Sequence, residues 1–79
     1  MTRYVALSFR RTGQDFAPGP AIECPDAGLA IQRAELMMAE KEVAGAIAFS
    51  RRGNLESGEA EDAVVLKVFG AIPEDFDMA

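Results

Sequence analysis

Apolar and polar positions alternate with a period of two from Arg3 to Arg11: Val5, Leu7 and Phe9 fall on one side, and Tyr4, Ala6, Ser8 and Arg10 on the other. That spacing is the mark of a strand with two distinct faces. The same period returns from Ala46 to Arg51, with Ile47 and Phe49 opposite Ala46, Ala48 and Ser50. It appears a third time from Ala63 to Phe69, where Val64, Leu66 and Val68 oppose Ala63, Val65, Lys67 and Phe69. Between the first two strands the period changes. At 100° per residue, Ala27, Ala30, Ile31, Ala34, Met37 and Met38 share one face, which predicts a helix from about Ala27 to Glu42 with that face on the sheet. Asp26, after Pro25, supplies a carboxylate for the free amides of the first turn and a negative charge at the positive helix end. Gly28 costs some propensity, but good helix formers fill most of the rest.

The connecting segments are read from their turn chemistry. Thr12–Pro20 holds two Gly and two Pro and favours turns, leaving Ala21–Cys24 as a short edge strand at most. Gly45 follows the helix, and Arg52–Asp62, with Gly53-Asn54 and Ser57-Gly58, reads as a long hairpin loop. The expected fold is therefore α+β, a three- or four-stranded sheet with one amphipathic helix on one face, in the order β-(β)-α-β-β. A single domain spans residues 1–70, and an acidic tail, 71–79, is tacked down by Ile72 and Phe76. The parity places the small residues Ala6, Ser8, Ala46, Ala48 and Ser50, with Tyr4, Val65 and Phe69, on the sheet face away from the helix. A one-residue slip would exchange the two faces.

Composition narrows the function more than it defines it. With 79 residues, 49% of them hydrophobic, the chain has enough apolar surface for one core. A single core of that size supplies only about 3–5 kcal/mol unless a staple or a second subunit adds to it. One cysteine and no histidine exclude an intrachain disulfide, the usual zinc modules and the Ser-His and Cys-His catalytic pairs. A homodimer is therefore the expected staple. Met1–Phe9 lacks the apolar run and small-residue cleavage site of a signal peptide, and no stretch reaches the length of a membrane span, so a cytoplasmic protein without membrane contact is expected. The net charge of −5 opposes general attraction to phosphates, which argues against a nucleic-acid partner.

A few side chains carry candidate chemistry. Leu29, Leu36 and Val43 recur every seven residues on nearly the opposite side of the helix from its main apolar face. That stripe either tucks under the Phe16 loop or the Phe76 tail, or forms half of a helix–helix dimer seam. The small-residue sheet face offers a second dimer contact by sheet stacking. Arg10, Arg11, Arg51 and Arg52 each follow a strand: if the strands run parallel the four converge into an anion-gripping patch, and if a strand at Ala21–Cys24 reverses the chain they separate. Cys24 is either a thiol activated by the helix start or a small half-buried side chain. Glu40 with Glu42, and Glu59 with Glu61 and Asp62, read as solvated charge. No Gly-rich phosphate cradle is present, and no catalytic, cofactor or metal residue is assigned.

The segment Ala44-Gly45-Ala46-Ile47-Ala48-Phe49-Ser50-Arg51, an acidic Gly-containing turn, Val64-Val65-Leu66 and a closing Gly70-Ala71-Ile72-Pro73 resemble a group of short uncharacterised bacterial proteins, a resemblance that implies no activity. Tyr4 to Leu7, Pro25-Asp26 and Ala30 to Ala39 are similar to the N-terminal domain of HicB-type antitoxins over about half the chain. The Gly-Cys segment expected before the helix and a C-terminal DNA-binding domain are both missing, so no functional residue carries over. The leading expectation is a small non-enzymatic protein that self-associates and acts by protein–protein interaction with an unknown protein partner. The alternative is a regulatory nucleic-acid-binding or antitoxin-like module using the arginine patch, and an acid–base or thiol enzyme would need a concave pocket around Cys24 or paired carboxylates.

Overall fold

A computed structural model describes residues 2–54, 59–60 and 63–73. β1 (Thr2–Thr12) and β2 (Asp15–Cys24) form a hairpin, α1 (Ala27–Met37) follows, and β3 (Val43–Asn54), β4 (Glu59–Ala60) and β5 (Val64–Gly70) complete the order. The sheet runs β2-β1-β3, with β4 and β5 both pairing the side of β3 that faces away from β1. Every pairing among the described residues is antiparallel. One helix on one face of an antiparallel sheet, in the order β-β-α-β-β, is the expected α+β architecture. The tip of the arginine-flanked 52–62 connection, positions 55–58, lies outside the described residues, as does Phe76 in the tail.

β2 is longer than the turn chemistry suggested. Thr12 pairs with Asp15 around Gly13-Gln14, and Gly13 has φ 64°, the positive value that a two-residue hairpin turn with Gly first requires. Pro18 and Pro20 then sit inside the strand, which an edge strand tolerates because half of its N–H groups face away from the ladder. The register shift between Leu7 and Phe9 brings Gly19 so close to Ser8 that a Cβ there would stand 2.6 Å from Ser8 Oγ.

The helix begins as its sequence indicates and ends early. Asp26 is the N-cap, and its carboxylate accepts from the Leu29 N–H at 2.8 Å. Asp26→Ala should lower stability by about 1 kcal/mol, read as a fall in thermal midpoint, and an unchanged midpoint would mean that water replaces the cap. After Met37 the bonds tighten: Met38 N–H donates to Glu35, Ala39 to Leu36, Glu40 to Met37 and Val43 to Glu40. Glu40, Lys41 and Glu42 are all exposed, so the predicted last turn has nothing to bury, and the chain descends at once into β3.

On β1 and β3 the two sheet faces are exchanged relative to the parity reading, whereas on β5 the bulge at Leu66 leaves Leu66 on the helix side and Val65 on the other, as expected. Ala6, Ala46 and Ala48 pack directly against Ala30 and Ala34 of α1, all five at 0% exposure, with Tyr4, Cys24, Ile31, Met37, Met38, Leu66 and Phe69 around them. The helix therefore lies on the small-residue face. Alanine paving on both layers permits a close approach of helix and sheet backbones, and the long Ile31, Met37, Met38 and Phe69 side chains fill the margins. Leu7, Phe9 and Ile47 occupy the opposite face, where Phe9 and Ile47 are buried at 2% and 0%. The described end of the chain serves that face too. Gly45 directs its missing side chain there, and the backbone of Ala71 fills the place, held by the Ala71 N–H to Ala44 at 3.0 Å.

Candidate interaction surface

Exposed apolar side chains concentrate in two places. Leu29 and Leu36 stand out on α1 at 44% and 58%, and Val64, Val65 and Val68 on β5 at 60%, 47% and 42%. On the helix side, α1 contributes Leu36 and Met37, and β2 contributes Pro20 and Ile22, to an open groove of about 250 Å³. Val43 and the buried Ser8 complete its apolar and small lining, and the exposed Arg33 and Glu40 add one charge of each sign. Because α1 stops at Met37, Val43 belongs to β3 and not to a helical seam. The heptad Leu29, Leu36, Val43 is thus broken as a coiled-coil stripe, yet Leu36 and Val43 still meet in the groove.

The arginine pairs do not converge. Arg3 lies opposite Arg51 and Thr2 opposite Arg52, whereas Arg10 lies opposite Val43 at the far end of the same strand pair. Seven residues of strand separate the two ends, roughly 23 Å. The strand at β2 is what reverses the chain and sends the pairs apart. Arg11 stacks over the Phe16 ring at 5.0 Å beside the hairpin turn. What sequence reasoning missed is Arg3, which joins Arg51 and Arg52 at one end. Only the register reveals it, since Arg3 lies at the start of β1, away from either arginine pair in the sequence. Arg3 also approaches Glu23 at 3.7 Å, a well-exposed pair of small energetic weight.

Of the thiol and acid candidates, Glu40 lines the groove beside α1. Cys24 is half-buried in the helix-side core, with Sγ 3.7 Å from the Ile22 carbonyl, and Glu40 and Glu42 are exposed. The side chains of Glu59, Glu61 and Asp62 lie outside those described. No described group of three or more Cys, Asp or Glu residues has the spacing to hold a metal ion, and no described helix is long and apolar enough to cross a membrane. No family model, curated protein or solved structure matches this chain.

Proposed function

We propose that this chain is a non-enzymatic interaction protein that works as a self-associated species and touches a further protein through the groove beside α1. The observation that supports the reading is the distribution of exposed apolar surface: a helix strip beside an apolar-lined groove, and a separate strip on β5. Large side chains in such strips cost hydration energy in a lone chain, at roughly 25 cal/mol per Å² of apolar area. Burying them between copies offsets the thin margin that a 79-residue core provides. The groove is suited to a protein ligand with an apolar side chain flanked by charge, because its apolar lining carries Arg33 and Glu40 with it.

The test is solution mass by light scattering after gel filtration at several concentrations. A species of at least twice the 8.5 kDa chain mass, dissociating on dilution, is the expected result. The mass should hold as salt is raised, since apolar contact strengthens and ionic contact weakens under salt. A single-chain mass at every concentration up to the millimolar range would overturn the self-association reading.

A further inference from the structure

We infer that self-association runs through the outer edge of β5, which pairs antiparallel with β5 of a second copy and joins the two sheets into one. The inference rests on the reading that the chain self-associates, and it names the surface that does so. β5 bonds to β3 along one side, and among the described residues no strand pairs its other side. An exposed edge of this kind presents a row of backbone donors and acceptors that only another strand satisfies in full.

The two sheet edges are treated very differently. β2 carries Pro18 and Pro20 inside the strand and Asp15 and Glu23 near its ends, the usual devices that block strand addition. β5 reads Val-Val-Leu-Lys-Val-Phe-Gly, with no proline and one charge, and holds three of the five exposed large hydrophobic side chains among the described residues. β5 has the single charge of Lys67 and the bulge at Leu66 but no proline, which makes it the less protected of the two edges.

The occupant follows from the register. Lys67 pairs with Ala48 and Val65 with Phe49, so Leu66 is the extra residue of a bulge. Leu66 packs with the helix-side core and Lys67 opposes the helix-side Ala48, which leaves Val65 and Val68 together on the other face. A two-fold axis between Leu66 and Lys67 then sets Val65 against the partner's Val68, Leu66 against the partner's Lys67, and Val64 against the partner's Phe69. Each side chain meets one on its own face, as strand pairing demands. The two Lys67 ammonium groups are kept from standing opposite one another. The pairing window also ends where it should, because Gly70 closes β5 and Ala71 turns back to Ala44. A six-residue segment that satisfies its own antiparallel image is what an isologous contact between identical chains requires.

The experiment compares wild type, Val68→Lys and Leu36→Glu by light scattering, with circular dichroism as the folding control. Val68→Lys should raise the dimer dissociation constant about tenfold or more with an unchanged spectrum, while Leu36→Glu leaves the dimer intact. In a Cys24→Ser background, a 1:1 mixture of Val65→Cys and Val68→Cys chains should form an intermolecular disulfide that Val65→Cys chains alone do not. A wild-type monomer would overturn the self-association reading itself. A wild-type dimer that survives Val68→Lys but dissociates in Leu36→Glu would overturn the β5 edge alone and assign the contact to the helix strip.

Discussion

Gly45→Ala is expected to destabilise the domain by about 2–4 kcal/mol, a fall of roughly 10 °C or more in thermal midpoint. Gly45 is buried in the middle of the sheet, paired with Phe9 on one side and Gly70 on the other. A Cβ added there would overlap the Ala71 carbonyl oxygen and lie 2.8 Å from the Ala71 nitrogen. Backbone atoms cannot swing aside as a flexible side chain can, so the Ala71–Pro73 segment must lift from the sheet. Lifting breaks the 3.0 Å bond from Ala71 N–H to Ala44 and exposes the half-buried Ile72 and Pro73. Against a total of about 3–5 kcal/mol for a core of this size, the loss approaches global unfolding at growth temperature. Thermal melts of the wild type and variant check it, and a midpoint within a degree or two would show that this segment contributes nothing to the fold.

Ile47→Ala is expected to cost about 2–5 kcal/mol, the range for truncating a buried Ile or Leu. Ile47 is the largest fully buried side chain among the described residues, on the central strand β3, directly opposite Leu7 on β1 and Val68 on β5. Since it lies on the face away from α1, its truncation opens a cavity in the second apolar layer and leaves the alanine layer under the helix in place. Chemical denaturation should therefore show a lower midpoint with the helical circular dichroism signal retained in the native baseline. A loss below about 0.5 kcal/mol would mean that this layer collapses freely around the gap and is no true core.

Much of the fold can be read along the chain because local periodicity is imposed by burial on one side. β1 extends only one residue beyond each end of the alternation from Arg3 to Arg11, and β5 is displaced by one residue from the segment beginning at Ala63. Asp26 caps α1 because cap chemistry needs only the side chain and the three amides after it. Where the reading fell short, the missing information was non-local. Pro18 and Pro20 argued against a strand, and it is their edge position, a property of the whole sheet, that admits them.

The same division governs the surfaces. Alternation established that each strand has two unlike faces, and the helical period established that Ala30, Ala34 and their neighbours form the sheet-facing side of α1. Neither pattern says which sheet face meets the helix. Hydrophobicity alone favours the Val5, Leu7, Phe9 face, but the choice is made by interlayer fit: alanines lining both the helix and the sheet allow the closer packing. Whether Arg10 and Arg11 meet Arg51 and Arg52 likewise depends on strand direction, which β2 reverses at Gly13-Gln14, about thirty residues before β3 begins. Amphipathic periods, capping and the absence of histidine and paired cysteines belong to the sequence because they act within a few residues or need no geometry. Face choice and the closing of Gly45 by Ala71 belong to the tertiary structure, because each is a contact between segments that only the assembled sheet brings together.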